Sequence, residues 1–216
     1  KLLLLSLLFC LFSTTQAKPW FTGPLLAPEA DIIEPGHQNY QPYLFSTSDT
    51  GRPFLHSISP QIFLTLGLTE SVNMEFVIPY EFNTIQNQHG SGLGDSVIIL
   101  QFQLLTDTPN SWKPDLQFAI EQAFPTGRFD QLSPTRLGSD ATGEGAYQTN
   151  LVLAYQKLAH FNHDLYLRTR FTVAFNIPTS VNVLNFNAFG GGFGTNGCVN
   201  VGNTLSLDLA FELSIT

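Results

Sequence analysis

Between residues 72 and 82 the chain is apolar or aromatic at every second position. Val72, Met74, Phe76, Ile78, Tyr80 and Phe82 share one side, with Asn73, Glu75, Pro79 and Glu81 between them. Side chains alternate across an extended strand, so this two-residue period predicts a β-strand with one apolar and one polar face. A run of about 11 residues is also the length of a tilted strand crossing a bilayer. The same period recurs over 38–47, 58–68, 96–105, 116–124, 147–157, 165–177 and 204–215, which makes eight expected strands.

The two faces are unequal in chemistry. Over 165–177, Leu165, Leu167, Phe171, Val173, Phe175 and Ile177 oppose Arg168, Arg170 and Asn176. Over 204–215, Leu205, Leu207, Leu209, Phe211, Leu213 and Ile215 oppose Asp208 and Glu212. A one-residue slip exchanges the faces, and turning an arginine into lipid near mid-bilayer costs about 2–4 kcal/mol. The register of such a strand is therefore well specified. The connections alternate too: 68–72, 106–115 and 158–164 are short, while 83–95, 125–146 and 178–203 are long. Short turns at one end and long loops at the other is the asymmetry of outer-membrane barrels, with the turns periplasmic.

The expected fold is all-β: an antiparallel transmembrane β-barrel over residues 37–216, in the bacterial outer membrane. Eight strands are visible, and more are expected in the full-length protein, since the chain ends on Ile215-Thr216 rather than on an aromatic and starts without Met. A soluble, lipocalin-like barrel shows the same alternation with its apolar face turned inward around a ligand. Composition separates the two. Charged residues make up 12% of the 216 and the net charge is -8, with lysine only at positions 1, 18, 113 and 157. An ordinary soluble domain carries about 25% charged residues, so something other than charge solvates this surface. The acidic balance also excludes a nucleic-acid partner, which calls for clustered Lys and Arg.

Residues 1–17 read as a cleavable secretory signal: an apolar run from Leu2 to Phe12, then small residues up to Ala17. Residues 18–36 form a proline-rich arm with Pro19, Pro24, Pro28 and Pro35, where neither helix nor central strand is expected. The arm carries Trp20 and Phe21, candidates for a lumen plug. After cleavage Cys198 is the one remaining cysteine, so no intramolecular disulfide forms. Tyr43, Phe45, Tyr80, Phe82, Phe124, Tyr147 and Tyr155 cluster toward strand ends, as interfacial girdles do.

Signals for chemistry are sparse. His160, His163 and Asp164 share a short turn, but a solvated turn is the simpler reading. No nucleophile-elbow pattern appears, and no enzymatic activity or cofactor is expected. The Gly190–Gly194 run lacks the Lys-Ser/Thr of a phosphate loop and reads as a flexible external loop. The polar faces hold the more informative set. Glu75, Glu81, Asp115, Glu121, Asp208 and Glu212 are expected to face Arg168 and Arg170 across a shared lumen, lining a path or sealing it. The excess of carboxylates favours neutral or cationic solutes over anions.

Gly92-Leu93-Gly94-Asp95 opens one expected strand and Pro125-Thr126-Gly127 closes the next. Thr142-Gly143-Glu144-Gly145-Ala146-Tyr147 opens another, which ends on Gln156-Lys157. In this order the motifs resemble the outer-membrane family named for the meta-pathway of phenol degradation, whose members are labelled transporters. The resemblance covers about the middle of the mature chain. It implies an outer-membrane barrel whose partners are membrane lipid and small hydrophobic or aromatic solutes, and it supplies no residue-level substrate site. Gly92, Gly94, Gly143 and Gly145 are expected to permit sharp loop-to-strand bends, with Asp95 accepting backbone N–H groups there. Two other roles stay open: a structural or surface-interaction protein with a plugged lumen, and the soluble carrier.

Overall fold

The computed structural model describes residue 30 and residues 32–49, 55–108, 111–162 and 165–215. The expected signal, residues 18–29 and 31 of the proline-rich arm with Trp20 and Phe21, His163 and Asp164 lie outside the described residues. Within them the chain is all-β and antiparallel, without helices. Eleven strands are present: β1 (Gln38–Asp49), β2 (Leu55–Thr69), β3 (Val72–Ile85), β4 (Gln88–Leu93), β5 (Ser96–Leu105), β6 (Asp115–Phe124), β7 (Gln148–Asn162), β8 (Leu165–Pro178), β9 (Val181–Leu184), β10 (Asn196–Val199) and β11 (Thr204–Ile215). The eight strands expected from alternation are β1, β2, β3, β5, β6, β7, β8 and β11. They form one meander in that order. The sheet curls into a half-barrel whose edges are β1 and β11.

Strand ends move where ladder pairing outweighs local polarity. β7 runs on to Asn162 because Leu158, Ala159 and His160 pair with Arg168, Leu167 and Tyr166 of β8. The His160 and Tyr166 rings stack at 4.4 Å, nearly parallel. The expected 158–164 turn is therefore mostly strand. The long loops hold three strands that alternation did not reveal. β4 folds back on β3, with Gly90 opposite Asn83 and Gly92 opposite Glu81. β9 and β10 make a separate hairpin. The Gly190–Gly194 run, expected as a flexible loop, lies within the connection of that hairpin. Asn187 Oδ1 accepts from the Phe189 and Gly191 amides, and Asn185 Oδ1 accepts from the Gly194 amide.

The two faces of the curled sheet are reversed relative to a soluble barrel. On the concave side Arg170 is fully buried, and Asn73 and Gln117 are each 2% exposed. On the convex side of β11, Leu205, Leu207, Leu209, Phe211 and Leu213 are all at least 61% exposed. Ile62, Ile78, Leu153, Phe171 and Phe175 extend that apolar surface across β2, β3, β7 and β8. Each such side chain gains about 1.5–3 kcal/mol on full transfer out of water. A continuous face of this kind is far larger than the apolar patches of soluble monomers.

The one cluster of buried apolar side chains among the described residues sits at the long-loop end. Ala146, Val181 and Val183 pack there with Phe129, Val199 and Val201. Main-chain bonds tie the 125–146 loop to the β9–β10 hairpin through Leu132 to Phe186 and Ala188 to Phe129. On its other flank Asn83 Nδ2 donates to the Ala141 carbonyl at 2.6 Å. Asp95 clasps the base of this loop, its Oδ1 accepting from the Gly127 amide at 2.9 Å and its Oδ2 from the Glu144 amide at 2.7 Å.

Asp95 thus accepts backbone amides, as expected, and two of the motif glycines have distinct local roles. Only Gly145 of the four takes a left-handed φ, +73°, under the Phe129 ring. Gly143 serves close approach, because a Cβ there would meet the Asp95 carboxyl carbon at 2.9 Å and the Gly127 Cα at 2.8 Å. Asp95→Ala leaves two amides without their acceptor and is expected to cost about 1–3 kcal/mol. The loss falls on the loop, so limited proteolysis within 125–146 should speed up while the strands keep their protection.

Candidate functional site

The strand alternation that turns apolar side chains outward brings all eight sequence-predicted charges to the concave side, but not into one network. Near the short-turn end, Arg168 of β8 lies directly opposite Glu212 of β11. Glu212 Oε2 lies 3.8 Å from Arg168 Nη1, and Glu212 Oε1 lies 3.4 Å from Arg170 Nη1. Arg170 Nε also donates to Gln156 Oε1 at 2.8 Å. Both guanidiniums converge on this carboxylate, and side chains fill the concavity here. Asp115 lies in the same ladder row, opposite Gln156, which in turn opposes Arg170. Its Oδ1 accepts from the Asp107 amide at 2.7 Å.

The other carboxylates rest on neutral donors. Glu81 accepts from Ser57 and Ser59 at 3.1 and 2.7 Å, and Glu75 accepts from Thr65 at 2.8 Å. Glu121 accepts from Asn150 Nδ2 at 2.7 Å. Asp208 faces Thr172 across the β8–β11 ladder and is half-buried. One lateral row, Glu75, Ile99, Glu121, Asn150, Asn176 and Thr204, crosses six strands as direct ladder partners.

A cavity of about 280 Å³ opens on the concave wall along that row, toward the long-loop end. Glu121, Gln148, Asn150, Asn176, Thr204 and Ser206 supply its polar lining, and Val97, Ala123 and Ala174 its apolar lining. Reading the sequence for charge missed the amides Gln148 and Asn150 and placed Asn176 on the polar face without a role. They are the polar members of the same alternation, but nothing in local pattern says that two strands align them.

Two of the described histidines make hydroxyl contacts. His56 Nδ1 lies 3.0 Å from Ser48 Oγ, and His89 Nδ1 lies 3.1 Å from Thr84 Oγ1. Cys198 is an exposed thiol on β10. Comparison with protein-family models and with curated proteins found no match.

Proposed function

We propose that the chain is an outer-membrane β-barrel protein, exported through its cleavable signal, whose polar concave wall gives small solutes a passive path. The observation that carries this reading is the reversal of faces: buried amides, hydroxyls and charges inside, exposed Leu, Ile and Phe outside. Lipid solvates the convex face, and water in the lumen solvates the concave one. Lys157 fits this frame. It shares the outward side of β7 with Leu153 and Tyr155, yet its Nζ reaches Asp107 and the Lys113 carbonyl at the short-turn end. A lysine at a membrane rim snorkels in this way. Tyr80, Phe82, Phe124 and Tyr147 lie toward the opposite end, where an aromatic girdle belongs.

In hydrocarbon each unpaired backbone group costs several kcal/mol, so the reading requires ladder partners for the outer edges of β1 and β11. The wall carries six carboxylates, Glu75, Glu81, Asp115, Glu121, Asp208 and Glu212, against Arg168 and Arg170. Anions are therefore disfavoured over neutral and cationic solutes. The mixed cavity lining suits small amphipathic molecules, and the family resemblance points to aromatic ones.

The full-length protein, folded in detergent and showing heat-modifiable gel migration, tests this in liposome-swelling assays. Neutral and cationic solutes are expected to enter faster than anions of equal size. Absence of all flux from folded protein would sink the transport reading in favour of a plugged surface protein. The 125–146 loop against Asn83 at one end and the Arg168–Glu212–Arg170 cluster at the other support that second reading.

A further inference from the structure

The chain reaches β1 through a tight turn over Glu34, Pro35, Gly36 and His37, closed by the His37 amide donating to the Glu34 carbonyl at 3.1 Å. Proline in the second place and Gly36 at φ +79° in the third are what a type II turn requires. Past the turn the backbone pairs edge to edge with Gly67 of β2. The Gly36 amide donates to the Gly67 carbonyl at 2.9 Å, and the Gly67 amide donates to the His37 carbonyl at 3.0 Å. The turn therefore folds the residues before it back over the strand with which the residues after it pair.

Gly67 shows which side they take. It lies opposite Asn73 of β3, and directly opposed residues share a face, so a side chain at 67 would point to the concave side. Backbone already fills that space. A Cβ on Gly67 would stand 2.9 Å from the Glu34 carbonyl carbon and 3.0 Å from the Ile33 carbonyl oxygen. Only glycine admits a crossing chain this close. Gly67 is buried, as are Thr65 and Asn73 on the same face, although the sheet is only half closed. Ile32 and Ile33 are half-buried, and Ala30 is fully buried.

We propose that Ala30 and residues 32–34 form a strap seated on Gly67 inside the concavity, and that this strap narrows the solute path at its short-turn end. The proposal rests on the passive-path reading and adds a control point to that path. The strap occupies the β1–β3 side of the short-turn end, while the Arg168, Arg170 and Glu212 side chains occupy the β8–β11 side. Its seat is one glycine and its hinge one turn, so its release breaks no strand ladder.

The seat is measurable apart from flux. Valine suits a strand, and the atoms that Gly67→Val meets first belong to the strap. In the folded, detergent-solubilised full-length protein carrying Ala30→Cys and Cys198→Ser, a bulky maleimide is expected to label position 30 slowly, and at least tenfold faster once Gly67→Val is added. Equal labelling in the two would overturn the seat. If Gly67→Val lowers the folding yield, scored by heat-modifiable migration, deletion of residues 18–34 is expected to restore it, and a loss that persists would also overturn the seat. The deletion touches no strand and is expected to speed liposome swelling in arabinose at least threefold. Unchanged swelling, in a parent that conducts, would overturn the constriction. If neither parent nor deletion variant swells, the path fails and the constriction with it, while the labelling still decides the seat.

Discussion

Arg170→Leu is expected to destabilise the folded sheet by about 3–5 kcal/mol, the loss typical when one partner of a buried ion pair is removed. Arg170 is fully buried on β8, with Nε on Gln156 and Nη1 toward Glu212. Leucine fills much of the volume but leaves the Gln156 oxygen without this donor and Glu212 with Arg168 alone. Urea unfolding of the detergent-folded protein, followed by gel migration, reads the change as a lower midpoint. The double variant Arg170→Leu with Glu212→Leu removes both charges of one contact, and part of the stability is expected to return. If the double variant is as unstable as the sum of the two singles, the pair carries no coupling.

This cluster also shows how far the sequence carried. Alternation in 165–177 and 204–215 placed Arg168, Arg170, Asp208 and Glu212 on one side because a period of two leaves no choice of face. It could not say which of six carboxylates would meet the arginines, because that depends on register across strands far apart in the chain. The structure pairs Glu212 with Arg168 by ladder position. Glu75, Glu81 and Glu121 are settled instead by a threonine, two serines and an asparagine on neighbouring strands.

β4, β9 and β10 were illegible for a different reason. They are four to six residues long and two of them carry glycine, so neither propensity nor period marks them. They exist because the loop layer holds them. Asn83 reaches across to Ala141 and Asp95 to Gly127 and Glu144, contacts separated by more than thirty residues. The motif glycines were visible in the sequence, yet their role as points of close backbone approach appears only once the two loops are in contact.

The sharpest test of which face meets lipid compares two arginine substitutions three residues apart on β8. Phe171 is near mid-strand on the convex side, and Ala174 lines the cavity on the concave side. In a bilayer Phe171→Arg is expected to cost about 2–4 kcal/mol from the charge alone, before the lost aromatic area is added. Ala174→Arg puts the same charge into water and beside Glu121, so its cost is limited to crowding within a cavity of about 280 Å³. Folding yield into lipid vesicles, scored by heat-modifiable migration, should therefore fall sharply for Phe171→Arg and little for Ala174→Arg. The same curled sheet, with these faces but held in water rather than lipid, gives the opposite order, because an exposed arginine at 171 improves solvation while one at 174 disturbs the polar interior. The pair decides environment without any knowledge of the solute, since both variants add one charge to the same strand and differ only in the side on which it emerges.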